Sequence, residues 1–98
     1  MTDIFDNTLA PSPDAVESRV GDETVLLHLK SGLYFGLDAM GTRIWEMLKD
    51  GMASREICAR IAEEHNVPLA TVEEDARRFL GELKDNDIVV LAREDASG

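Results

Sequence analysis

The stretch from Thr24 to Leu48, TVLLHLKSGLYFGLDAMGTRIWEML, changes its period once, and that change decides the fold. Up to Leu37 the apolar residues come in two short runs, separated by Lys30-Ser31-Gly32. Two such runs around a Gly-containing break predict a β-hairpin. From Asp38 onward the apolar positions are Met40, Ile44, Met47 and Leu48, with Trp45 at the margin. That is the spacing of one helix face. Asp38 stands where a short carboxylate caps a helix by accepting an N–H of its first turn.

The hairpin loop can be chosen by counting apolar residues on each face. A three-residue loop, Lys30-Ser31-Gly32, pairs Leu29 with Leu33, Leu27 with Phe35 and Val25 with Leu37. It collects six large apolar side chains on one face and leaves Leu26, His28, Tyr34 and Gly36 on the other. It also puts Gly32 where a left-handed residue is wanted. A slip of one residue would exchange the faces, so this register is the expectation.

Working outward, Val16, Ser18 and Val20 alternate with Glu17 and Arg19, and Gly21-Asp22 follows, which predicts a further strand and a turn. After the first helix, Gly51 is the expected stop. Ser54 is read as the cap of a second helix whose face carries Ile57, Cys58, Ile61, Ala62 and His65, ended by Asn66 and Pro68. A third helix begins near Leu69 or Thr71, where Thr71 and Glu74 match a capping box. Its stripe is Val72, Ala76, Phe79, Leu80 and Leu83. Asp85-Asn86-Asp87 breaks it, and Ile88 to Leu91 suits a short final strand. Residues 1–14, with Pro11 and Pro13 and no period, read as a flexible arm, with Ile4 and Phe5 its candidates for tucking onto a surface; residues 92–98 read as a flexible tail. The fold class is therefore α+β: a three-stranded antiparallel sheet followed by helices at 38–50, 55–65 and 70–86, winged helix–turn–helix-like, in one domain over 15–91.

The whole chain has 98 residues, enough for one core. Ten Lys and Arg against twenty Asp and Glu give a net charge of −10. That balance disfavours nucleic acid and anionic membrane as partners. The helix at 69–86 has five acids and three bases, the wrong composition for a DNA-reading helix. A single cysteine, Cys58, excludes an internal disulfide. The amino terminus shows no secretory signal, so a cytoplasmic location is expected. His28 and His65 stand in no metal or nucleophile motif, and Cys58 with His65 reads as a small thiol and a helix-end histidine. No catalytic residue, metal ligand or cofactor is therefore assigned. The Glu73-Glu74-Asp75 run reads as a solvated helix start.

The remaining feature is an edge. In a meander, the strand Leu33, Tyr34, Phe35, Gly36, Leu37 pairs on one side only, and it has no charge before Asp38. Such an edge can accept an added peptide strand. On the third helix Asp75, Arg78 and Glu82 line one shoulder of the apolar stripe, continued by Asn86, and Phe79 is the apolar floor beside them. Glu73, Arg77 and Lys84 form the opposite shoulder, which is the alternative wall.

The same stretch resembles the PqqD-like proteins, also called RiPP recognition elements. Their run of an apolar strand, a Gly-containing turn, a Tyr-Phe-x-Leu-Asp strand end and a Gly-x-x-Ile-Trp helix matches Gly32, Tyr34, Phe35, Leu37, Asp38, Gly41, Ile44 and Trp45. Ile57, Ile61, His65-Asn66-Val67, Val72, Asp75, Phe79, Leu80, Leu83 and Ile88-Val89 continue it. The likeness covers about residues 15–91 and looks closest to stand-alone lasso-peptide B1-type or generic members. It implies a non-catalytic module that holds the leader of a ribosomally made precursor peptide as an extra antiparallel strand. It also implies an enzyme partner: a leader protease, a cyclase or a radical SAM enzyme. The competing readings are a DNA-binding winged-helix regulator and a small structural subunit that self-associates through its open edge. The expected state is a monomer or weak homodimer.

Overall fold

The structure, a computed structural model, describes Phe5 and residues 7–94; Ile4 and residues 95–98 of the expected tail lie outside the described residues. The elements are β1 (Asn7–Pro11), β2 (Ala15–Val20), β3 (Glu23–His28), β4 (Tyr34–Leu37), α1 (Ala39–Lys49), α2 (Ser54–His65), α3 (Leu69–Asp85) and β5 (Val89–Glu94). Strands β2, β3 and β4 form an antiparallel meander in that order, and β1 pairs with β5 in a separate antiparallel ribbon. The α+β class and the three-strand, three-helix order are as the sequence predicts.

The hairpin register differs from the expected one. Thr24 faces Leu37, Leu26 faces Phe35 and Leu27 faces Tyr34. The loop has four residues, Leu29 to Gly32: His28 N–H donates to the Leu33 carbonyl (2.9 Å) and Gly32 N–H to the His28 carbonyl (2.8 Å). Gly32 is left-handed, with φ +75°. The longer loop slips β3 by one residue, so Thr24, Leu26 and His28 are buried while Val25 and Leu29 turn to solvent. The face of β4 is as expected, with Leu37 buried and Phe35 packed on the core. Counting apolar residues misled because two polar side chains are satisfied inside. Thr42 Oγ1 lies 3.0 Å from Thr24 Oγ1. His28 Nδ1 accepts the Ser31 N–H at 3.2 Å and so ties down the loop.

The amino-terminal reading is also corrected. Residues 7–11 are a strand, not a loose arm, and Phe5 and Leu9 belong to the core. The ladder runs from Asn7 opposite Glu94 to Pro11 opposite Val89, with a bulge between Thr8 and Leu9. The partner lies about eighty residues away, and the buried strand positions include Asn7 and Thr8, so no local alternation announces the strand. The Arg77 guanidinium stacks 4.6 Å above the Phe5 ring and pins the segment to α3. Residues 92–94, expected in the tail, are part of β5.

The three helices share one core with the sheet, α3 packing mainly on α2. Ile44, Trp45, Met47 and Leu48 of α1 are buried in one core with Leu26 and Leu37 of the sheet, Ile57 and Ile61 of α2, and Leu80 and Leu83 of α3. Asp38 caps α1 as expected, its Oδ1 accepting the Gly41 N–H at 2.8 Å. Gly51 (φ +85°) and Asn66 (φ 52°) end α1 and α2 in left-handed conformations. Ser54 does not cap α2: Ala53 holds that place, and the Ser54 hydroxyl is buried without a hydrogen-bond partner among the described residues. Nor does Thr71 cap α3, which begins two residues earlier after Pro68, a residue already restricted to a helix-compatible φ.

Candidate functional site

Among the described residues both edges of the meander, β2 and β4, are unpaired on their outer side, and they are built differently. On β2 the inward-facing charges Glu17 and Arg19 reach across to α1, to Lys49 (2.8 Å) and Glu46 (2.9 Å). The hydrogen bond from Arg19 holds the Glu46 carboxyl below the usual carboxylate range. Inward charges on an edge strand discourage further pairing. Strand β4 has no such device: its inner residues are Phe35 and Leu37, and its outer residues are Tyr34 and Gly36.

Hydrogen bonding then fixes which atoms β4 offers. The bond from His28 N–H to the Leu33 carbonyl places Leu33, Phe35 and Leu37 in the ladder with β3. Antiparallel alternation therefore points the N–H and C=O of Tyr34 and Gly36 away from β3, toward the open side. Gly36 has nothing within 4 Å of the position a Cβ would take, so a second backbone can approach closely.

Beyond the carboxyl end of β4 lies an apolar cavity of about 300 Å³ between the start of α1 and α3. Asp38, Met40, Gly41 and Ile44 form one wall; Thr71, Asp75 and Phe79 form the other. Gly41 is the joint between them. A Cβ there would lie 3.3 Å from Leu37 Cβ and 3.4 Å from Phe79 Cζ, so glycine lets strand end, helix start and α3 close together. Phe79 is half-buried: its ring packs on the core and lines the cavity at once.

Of the residues singled out from sequence, Asp75 and Phe79 meet at this cavity, next to the Leu37 end of β4. Arg78 does not line the cavity; it is exposed and pairs with Asp75 at 2.7 Å. Glu82 is exposed one turn further along α3 and lines no part of the cavity. Leu33 and Tyr34 are exposed at the opposite end of the strand. Sequence reasoning missed Asp38, Met40, Gly41 and Thr71 as cavity residues. Each had a local explanation as cap, stripe or helix start, and only the approach of α3 to α1 gives them a second role. Cys58 is fully buried and His65 exposed, so the two do not form a site. Burial pushes the Cys58 thiol up to about 11. Among the described residues no cluster of His, Cys, Asp and Glu has the geometry of a metal centre, and no helix is long and apolar enough to cross a membrane.

Comparison with solved structures finds the same architecture. One relative, TbiB1 in complex with the TbiA(beta) leader peptide, is 44% identical with a TM-score of 0.78, over 82% of this chain and 93% of the other. A second, a lasso peptide synthetase B1 complexed with the leader peptide, is 23% identical with a TM-score of 0.77, over 85% of this chain and 98% of the other, and shows the shared fold. No functionally curated protein matches the sequence. The family profile of coenzyme PQQ synthesis protein D matches residues 23–89, which span β3, β4, the three helices and the start of β5. The chain is thus a member of the PqqD family.

Proposed function

We propose that this protein holds the leader segment of a ribosomally synthesised precursor peptide and delivers it to a modifying enzyme or leader protease, in a lasso-peptide type of pathway. The carrying observation is the unblunted edge of β4 running into an apolar cavity. The 44% identical relative solved with a leader peptide supports it. The leader adds as a strand along Leu33, Tyr34, Phe35, Gly36 and Leu37, bonded to the outward groups of Tyr34 and Gly36. An apolar leader side chain seats on Phe79, and Asp75, Arg78 and Glu82 form the charged wall along α3. An antiparallel leader enters at the Leu37 end and leaves at the Leu33 end. A ribosomal precursor is met where it is made, which places this activity in the cytoplasm.

The protein acts here as a non-catalytic module: it supplies backbone hydrogen bonds and one or two anchors against the ordering cost of the peptide, for an affinity of roughly −8 to −10 kcal/mol. The test follows product mass when the partner enzyme meets full precursor, with and without this protein. Turnover should require both the protein and the leader. Equal turnover in both tubes, or turnover by this protein alone, would remove the reading.

A further inference from the structure

The outer face of the meander has the opposite composition to that expected of a solvent face. Two cross-strand rows run over it: Val16, Leu27 and Tyr34, then Ser18, Val25 and Gly36. No charged residue stands in either row, although 31% of the chain is charged; the charge of this face is Glu23, opposite Val20 at the β2–β3 turn. Val16 is 48% exposed, Val25 37% and Tyr34 70%; Leu29, next in the alternation, is 59% exposed. The charges of β2, Glu17 and Arg19, instead point inward to α1. The outer face thus turns Val16, Val25 and Tyr34 to water, while Glu17 and Arg19 of β2 turn to the protein.

We infer that this face docks the enzyme that acts on the precursor, and that it does so most productively when the leader is in place. The inference rests on the leader-binding reading above. Three strands about 4.8 Å apart and roughly 20 Å long make a face of about 280 Å². A stable interface needs about 800 Å² per partner, so a second copy seated on this face alone is too small a contact. A leader strand on β4 widens the same face by one strand and presents its own outward side chains beside Tyr34 and Gly36. Its exit at the Leu33 end sends the segment to be modified past Leu29 and Leu33, both exposed and apolar. The enzyme therefore meets the outer face, the leader and its substrate segment together, and the three supply the area that the face lacks.

The experiment uses the full chain with its precursor peptide and the processing enzyme. Val16→Glu and Val25→Glu place a carboxylate in each row, and both positions lie outside the proposed leader contacts. Leader affinity, read by anisotropy of a labelled leader, should stay within about twofold of the unaltered protein. Precursor turnover at limiting protein should fall at least tenfold. Ser18→Lys, on an already exposed strand, makes the same test without touching a packed residue, should a glutamate unfold the hairpin. Normal turnover by folded variants that bind leader normally overturns this inference and leaves the leader reading intact. A parallel loss of leader affinity, or a dimer of the unaltered protein that the variants abolish, also overturns it. Failure of the unaltered protein to bind leader removes the earlier reading, and this one with it.

Discussion

Replacing Gly36 with proline isolates the atoms on which strand addition depends. Gly36 N–H points to the open side of β4 and takes no part in the ladder with β3, whose bonds fall to Leu33, Phe35 and Leu37. Gly36 is not among the glycines with positive φ, and nothing lies within 4 Å of its missing Cβ. Phe35 before it is in a strand, the conformation favoured before proline. Proline is tolerated on an edge strand when its missing N–H faces solvent. Stability should therefore change by no more than about 1 kcal/mol in either direction. Binding loses a donor worth about 0.5–1.5 kcal/mol, and the leader carbonyl left without a partner costs about 1–3 kcal/mol where water is excluded. A net loss of about 2 kcal/mol is roughly a thirtyfold weaker dissociation constant. Gly36→Ala keeps the N–H and enters open space, so its affinity should stay within about threefold. The assay is anisotropy of a labelled leader, with thermal unfolding by circular dichroism as the check on folding. A folded Gly36→Pro protein that binds the leader as tightly as Gly36→Ala would refute addition to β4.

Four further outcomes follow from the same geometry. On leader binding, hydrogen exchange should slow most at the amides of Tyr34 and Gly36 and little at Phe35 and Leu37, which the β3 ladder already protects; unchanged rates across 33–37 would count against the edge. Asp75→Lys or Arg78→Glu should weaken leader binding with little change in melting temperature, since their mutual ion pair is solvent-exposed; if only reversal of Arg77 and Lys84 has this effect, the leader uses the other shoulder of α3. Thr42→Val should cost about 1–3 kcal/mol in chemical denaturation by stranding the buried Thr24 hydroxyl, and adding Thr24→Val should recover part of it. Cys58, pushed up to about 11 from its ordinary 9, keeps its proton in the folded state, so its contribution is full below pH 9 and is lost as pH rises toward 11; melting temperature should fall more steeply over that window than in Cys58→Ala.

Much of this arrangement is local and therefore legible in the chain itself. The switch of period at Asp38, the carboxylate that caps α1, and the left-handed stops at Gly51 and Asn66 are each set by neighbours within one helical turn. The apolar stripe of α3 and the open edge of Leu33 to Leu37 follow from periodicity and strand order, and with them the position of Asp75 and Phe79 beside that edge, where they line the cavity. Tertiary structure decided what depends on distant partners. Which face of β3 is buried turned on a hydroxyl from α1 that satisfies Thr24 and on a loop amide that satisfies His28, and apolar counting cannot see either. Strand β1 exists because β5, at the far end of the chain, supplies its ladder and the core takes Phe5 and Leu9. The cavity exists because Gly41 lets α1 and α3 close around the end of β4. A sequence carries its short-range hydrogen bonds and its periodic apolar faces in plain order; close approach between distant segments is fixed only when the whole chain has packed.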